Sequence, residues 1–183
     1  MRVISGSAKG RPLKVPNSGT RPTGDKVREA IFNILGDKVR EAFVADLFAG
    51  SGGLGIEALS RGAARSLFVD VSPAAVRTIR QNLEHTGLED RAEVWRGRYP
   101  QFLRKMAVST YTFDLLFSDP PYEMKMTEEL LHGLDDVDVI KEDGVVVTES
   151  SKAERIPGKV GGFAANLERI YGDTKVIFWV LER

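Results

Sequence analysis

The chain contains no cysteine and only two histidines, His85 and His132. Lack of cysteine excludes a disulfide framework, a thiolate metal site and a cysteine nucleophile. Scarce histidine argues against a histidine-rich metal centre, so no metal is expected. Long apolar runs are also missing. The longest clean one, residues 176–181 (Val-Ile-Phe-Trp-Val-Leu), falls far short of the roughly 20 residues a bilayer span requires. The opening Met1-Arg-Val-Ile-Ser-Gly lacks the apolar stretch of a secretory signal. Together these absences predict a soluble, cytoplasmic protein with no membrane partner.

Net charge is absent too, because 26 Lys and Arg balance 26 Asp and Glu. The balance is not local. Residues 1–40 carry nine Lys or Arg and three acids, a net of +6, while residues 110–150 carry two Lys and eleven acids, a net of −9. A basic N-terminal stretch on a neutral chain points to one face that meets a polyanion.

What is present is ordinary globular material: 183 residues, 42% hydrophobic and 28% charged, with 18 Gly and 8 Pro. A chain of this length buries roughly 70% of its unfolded surface and needs no staple. Residues 3–4 and 13–15 read as two short strands around the basic turn Gly6-Ser-Ala-Lys-Gly-Arg11. Residues 16–24 are loop. Thr23 or Asp25 can cap a helix whose apolar face is Val27, Ala30, Ile31, Ile34 and Leu35. From residue 43 the pattern becomes strand, glycine loop, helix, strand, repeated. Strands are predicted at 43–48, 66–71, 92–96, 113–118 and 144–149. Helices are predicted at 56–61, 73–86 and 99–108, with another around 130–134. Residues 167–171 and 175–181 flank Gly172-Asp173 as an antiparallel hairpin. Alternating strands and helices imply a doubly wound, mostly parallel α/β sheet.

Two stretches carry chemistry. Asp46-Leu-Phe-Ala-Gly-Ser-Gly-Gly-Leu-Gly55 sets glycines at 50, 52 and 55 after a strand and ahead of a helix. That context lets backbone N–H groups approach a ligand closely, and Asp70 at the next strand end can accept ribose hydroxyls. An adenosine-containing cofactor follows. A nicotinamide dinucleotide shares this outline, but its diphosphate would face the Asp46 carboxylate. The ammonium and sulfonium of S-adenosylmethionine would be helped by it. The second stretch, Ser118-Asp-Pro-Pro-Tyr122, follows the fourth strand at the edge where open α/β sheets bind ligands. Its prolines make a stiff turn with free carbonyl acceptors. Asp119 and the Pro120 carbonyl can accept from the NH₂ of a planar base and aim its lone pair, while Tyr122 stacks on an unstacked base.

Asp119-Pro-Pro-Tyr122 resembles the signature of amino-directed methyltransferases. Three further stretches, Gly6-Ser-Ala-Lys-Gly-Arg-Pro-Leu13, Arg21-Pro-Thr-Gly-Asp-Lys-Val-Arg-Glu-Ala-Ile-Phe-Asn-Ile-Leu35 and residues 46–63, resemble the RsmD-type bacterial 16S rRNA guanine-N2 methyltransferases. This resemblance implies a Rossmann-like class I methyltransferase sheet at 21–183 behind a small basic N-terminal β-hairpin at 1–20. It implies S-adenosylmethionine held by Asp46, Phe48, Gly50, Ser51, Gly52 and Asp70, with Arg21, Pro22 and Thr23 closing over its methionine end. It further implies a target guanine held by Asp119, Pro120, Pro121 and Tyr122, and rRNA phosphates met by Arg2, Lys9, Arg11 and Lys14. The partner would be 16S rRNA in a small subunit or assembly intermediate, approached by a monomer. Arg98 stands where many methyltransferases have an acid contacting adenine, so backbone recognition of adenine is expected. A DNA adenine-N6 or cytosine-N4 methyltransferase fits the same turn, and an NAD-dependent oxidoreductase fits the same glycine loop. Glu149 is expected to be solvated, Asn82 structural, Trp95 and Trp179 in the core, and His85 and His132 uninvolved in catalysis.

Overall fold

The computed structural model describes residues 1–16, 23–121 and 126–182, in two compact units that divide after Gly97. The first unit holds strands β1 (Phe43–Leu47), β2 (Arg65–Asp70) and β3 (Ala92–Arg96), paired in parallel as β3-β2-β1. Helix α2 (Gly53–Ser60) links β1 to β2, and α3 (Pro73–Thr86) links β2 to β3. Central residues of β1 and β2 are almost all buried, as expected of parallel strands covered on both faces. Every residue of α2 is buried as well, so this short helix draws its stability from packing. Helix α3 has the predicted bounds. Ser72 caps it, accepting from the Ala75 N–H at 3.3 Å, Pro73 opens it, and Gly87 ends it at φ +70°.

Helix α1 (Asp25–Leu35) departs from expectation in two ways. Its N-cap is Gly24, with no side-chain cap, because Asp25 bonds the Arg28 guanidinium at 3.0 Å instead. Its buried face is Arg28, Ile31, Phe32 and Leu35, while Ile34 is exposed. That face has clean i, i+3, i+4, i+7 spacing, but a charged residue occupies its first position.

The predicted N-terminal strand pair is reduced to one antiparallel bridge, Arg2 to Pro12. Three backbone bonds support it: Val3 N–H to Arg11 O, Gly10 N–H to Val3 O and Leu13 N–H to Met1 O. Pro12 has no N–H to extend a ladder.

The second unit starts at Arg98. Strands β4 (Phe113–Ser118) and β5 (Ile140–Ser151) pair in parallel. Strand β8 (Thr174–Leu181) runs antiparallel between β5 and β7 (Phe163–Tyr171), and the two-residue β6 (Lys159–Val160) pairs with β7. Helices α4 (Gln101–Ala107) and α5 (Thr127–Val137) complete it. The buried Trp179 indole donates to Thr148 Oγ1 at 2.9 Å, tying β8 to β5 inside the core. The chain thus has the expected α/β class, with parallel strands and an antiparallel C-terminal hairpin. Among the described residues no helix is long and apolar enough to cross a membrane.

Candidate active site

After β1 the chain turns through three left-handed residues, Phe48 (φ +57°), Gly50 (φ +58°) and Gly52 (φ +77°), before α2 begins. A non-glycine residue in that region is costly, and such strain collects where a backbone must present itself to a ligand. Gly55 serves packing: a Cβ there would lie 2.3 Å from Phe68 Cε1, so only hydrogen lets α2 close on β2. Two carboxylates fix the turn. Asp46, 3% exposed, accepts from the Gly55 N–H at 2.8 Å, which sets a negative charge at the positive end of α2. Asp70 accepts from the Gly50 N–H and the Ser72 N–H, both at 2.8 Å. Sequence reasoning read Asp70 as a ribose acceptor. In the fold each of its oxygens already orders the backbone and keeps a second lone pair for a hydroxyl donor. Ser51 is buried within the same turn.

The N-terminal ribbon is seated on this turn by side chains that sequence reading missed or left as merely structural. Buried Asn82 of α3 accepts from the Lys14 N–H at 2.8 Å and donates to the carbonyls of Lys14 and Ser51, each at 2.9 Å. One amide therefore ties α3, the ribbon and the glycine turn together. Glu57, 1% exposed, accepts from the N–H groups of Ile4 (2.8 Å) and Ser5 (3.0 Å) and from Arg61 Nε (2.8 Å). Ser60 Oγ accepts from the Ala8 N–H and donates to the Ser5 carbonyl.

Arg28 is fully buried. Its Nη2 donates to the Arg2 carbonyl and to Asp25, and its Nε stands 4.0 Å from Glu57 Oε2. Burial draws its pKa below the ordinary arginine range, against the raising pull of Glu57 and Asp25. Sequence reasoning counted it only as one basic residue among nine. A charge at the first position of an apolar stripe was the available signal.

The four basic residues assigned to RNA all lie exposed on the ribbon. Arg11 donates to the His85 carbonyl at 2.6 Å, Lys14 to Gln81 Oε1 at 3.3 Å and Arg2 to the Gly10 carbonyl at 3.1 Å. Thr23 is half-buried ahead of α1, whereas Arg21 and Pro22 lie outside the described residues.

In the second unit, β4 ends at the buried Ser118, followed by half-buried Asp119, buried Pro120 and exposed Pro121. Tyr122 lies outside the described residues. Glu149 is 2% exposed, which corrects the expectation of a solvated strand-end acid. Strand β5 continues to Ser151, so Glu149 is an interior position opposite Val176. Arg98 is exposed.

The first unit therefore offers a glycine turn held by two carboxylates, with a buried arginine near the start of α2; the second offers the Asp119-Pro120-Pro121 segment directly after β4. Among the described residues no group of three or more His, Cys, Asp or Glu could hold a metal ion.

The family model described as "Conserved hypothetical protein 95" matches residues 1–180. YlbH of Bacillus subtilis, whose name provisionally makes it an rRNA methyltransferase, is 42% identical over 180 residues, covering 98% of each chain. Ribosomal RNA small subunit methyltransferase D of Escherichia coli K12 is 33% identical over 173 residues, covering 94% of this chain and 85% of that one. The solved structure of Escherichia coli yhhF, described provisionally as a methyltransferase, superposes with a TM-score of 0.86 at 31% identity, covering 100% of this chain and 98% of that one.

Proposed function

Since the chain belongs to the family of ribosomal RNA small subunit methyltransferase D, we propose that it transfers a methyl group from S-adenosylmethionine to the exocyclic N2 of a guanine in 16S rRNA. When bound, the cofactor supplies a methyl group on sulfonium sulfur, which the acceptor nitrogen takes as the carbon–sulfur bond breaks and S-adenosylhomocysteine leaves.

The residues of the first unit fit that cofactor. Asp46 and Asp70 bring negative charge to the glycine turn, which suits a molecule bearing an ammonium, a sulfonium and a ribose diol. A diphosphate would be repelled by the same pair, which weighs against the dinucleotide reading. Phe48, Gly50, Ser51 and Gly52 form the turn against which the cofactor lies, and Arg21 and Thr23 serve its methionine end.

The observation that carries the acceptor assignment is the Asp119-Pro120-Pro121 turn directly after β4. In this reading, the Asp119 carboxylate and the Pro120 carbonyl accept the two hydrogens of the guanine amine. Electron density then stays on nitrogen, whose lone pair is otherwise delocalised into the ring. Pro121 stiffens the turn, Tyr122 stacks on the base, and the displaced proton leaves by way of Asp119. Catalysis comes from positioning and preorganised charge. Arg2, Lys9, Arg11 and Lys14 lie on phosphates and set register without reading sequence. The chain works alone, in the cytoplasm, on a small subunit or its assembly intermediate.

The test is transfer of tritiated methyl groups to undermethylated small subunits, naked 16S rRNA and duplex DNA, followed by nucleoside analysis. Label in N2-methylguanosine, strongest on the particle, is expected. Label in N6-methyladenine or N4-methylcytosine on DNA would replace the substrate. Failure of wild-type protein to bind S-adenosylmethionine would overturn the reading.

A further inference from the structure

Arg28 is the one guanidinium among the described residues whose side chain is fully buried and incompletely bonded. Neither Nε nor Nη1 has a hydrogen-bond partner. Leaving charged donors unsatisfied in the interior costs free energy, and the ion pair to Glu57 is too long to offset it fully. The orphaned edge has a direction. Nη1 lies 3.0 Å from the position a Cβ on Gly53 would occupy, at the first residue of α2 and directly after the left-handed Gly52. Two things therefore converge there: the first turn of α2, whose Gly55 N–H is taken by Asp46, and an arginine donor that lacks an acceptor. What covers the spot is soft. The Met1 thioether sulfur and methyl come within 3.2 and 3.3 Å of the same point, and Met1 is a flexible, half-buried side chain. Gly53 itself withholds the side chain that would block approach.

We propose that Arg28 is the carboxylate-binding residue of the cofactor site, its Nη1 edge pairing with the α-carboxylate of the cofactor's amino-acid end at the N-terminus of α2. This rests on the cofactor proposed above and adds a residue to the methionine end. Nη2 is already committed to Asp25 and to the Arg2 carbonyl, so the fork is held rigid by α1 and the ribbon before any ligand arrives. An anion at Nη1 gives an acceptor to a donor that is costly to bury without one, and that compensation makes the pairing stronger than a surface ion pair.

The test compares S-adenosylhomocysteine with 5′-methylthioadenosine, which keeps the nucleoside and sulfur but lacks the amino acid. Titration calorimetry on wild type and Arg28→Met should show S-adenosylhomocysteine weakened ten- to a hundred-fold in the variant, with methylthioadenosine within about three-fold. Arg28→Lys, which keeps charge but loses the fork, should fall between. A parallel loss for both ligands would show that Arg28 only shapes the site, and no loss for either would also overturn the proposal. If Arg28→Met does not fold, wild type decides. The neutral methyl ester of S-adenosylhomocysteine should bind at least ten-fold more weakly than the acid, and equal binding removes any cation that reads the carboxylate. Wild type that binds neither S-adenosylhomocysteine nor methylthioadenosine fails the cofactor reading itself, whereas equal binding by wild type and variant fails Arg28 alone.

Discussion

The β7–β8 hairpin and the N-terminal ribbon both reverse the chain beside a positive-φ glycine, Gly172 at +62° and Gly6 at +84°. Their supports differ. The hairpin carries its own ladder, from Phe163 opposite Leu181 down to Tyr171 opposite Thr174. The ribbon has a single bridge and is held by side chains far along the sequence: Glu57, Ser60 and Asn82 satisfy the backbone of Ile4, Ser5, Ala8 and Lys14. A ladder is a local device and tolerates surface change. A segment whose backbone bonds end on buried side chains stands or falls with them, because each removed acceptor strands a buried donor.

The largest break in this contrast should come from Glu57→Ala. It strands two backbone N–H groups and leaves Arg28 in the interior with less charge opposite it, at a cost of roughly 3–5 kcal/mol. Urea unfolding should show a fallen midpoint, and hydrogen exchange should show the ribbon amides losing protection first. Next, one substitution made in both turns sharpens the comparison. A Cβ on Gly6 would sit 1.8 Å from the Ser60 carbonyl oxygen, whereas one on Gly172 meets nothing within 4 Å. Gly6→Ala should therefore cost about 3 kcal/mol, conformational strain plus displaced backbone, and Gly172→Ala about 1 kcal/mol, strain alone. Equal losses would mean that Gly6 is not wedged against α2. The smallest effect on stability, within about 0.5 kcal/mol, belongs to Arg11→Glu with Lys14→Glu, since both side chains are exposed. Their effect should appear in rRNA binding instead, as weaker affinity and a log–log salt slope reduced by about 1 per residue reversed. An unchanged slope would take the ribbon off the RNA.

The same contrast explains what was legible in the sequence. The Gly172-Asp173 turn signal announced the hairpin, and Pro73 marked the start of α3. The glycine turn and its acid at 70 were legible because each belongs to a short motif whose geometry depends on neighbours in the chain. Glu57, Asn82 and Arg28 were not read as anchors, because their partners lie 26 to 68 residues away and a buried polar side chain looks like a solvated one in a string. Arg28 also displaced the apolar face read for α1, since periodicity scoring passes over a charge at a core position.

The proposed function divides the labour, with the first unit binding the cofactor and the segment after β4 carrying out the transfer. Asp119→Ala, assayed for S-adenosylhomocysteine affinity and for methyl transfer at saturating cofactor and rRNA, separates the two most directly. The expected outcome is transfer reduced by at least roughly a hundred-fold, as for loss of a preorganised charge-stabilising group, with affinity within a few-fold of wild type. Lost affinity with transfer restored at saturating cofactor would contradict it and move Asp119 from the chemistry to the binding of the cofactor.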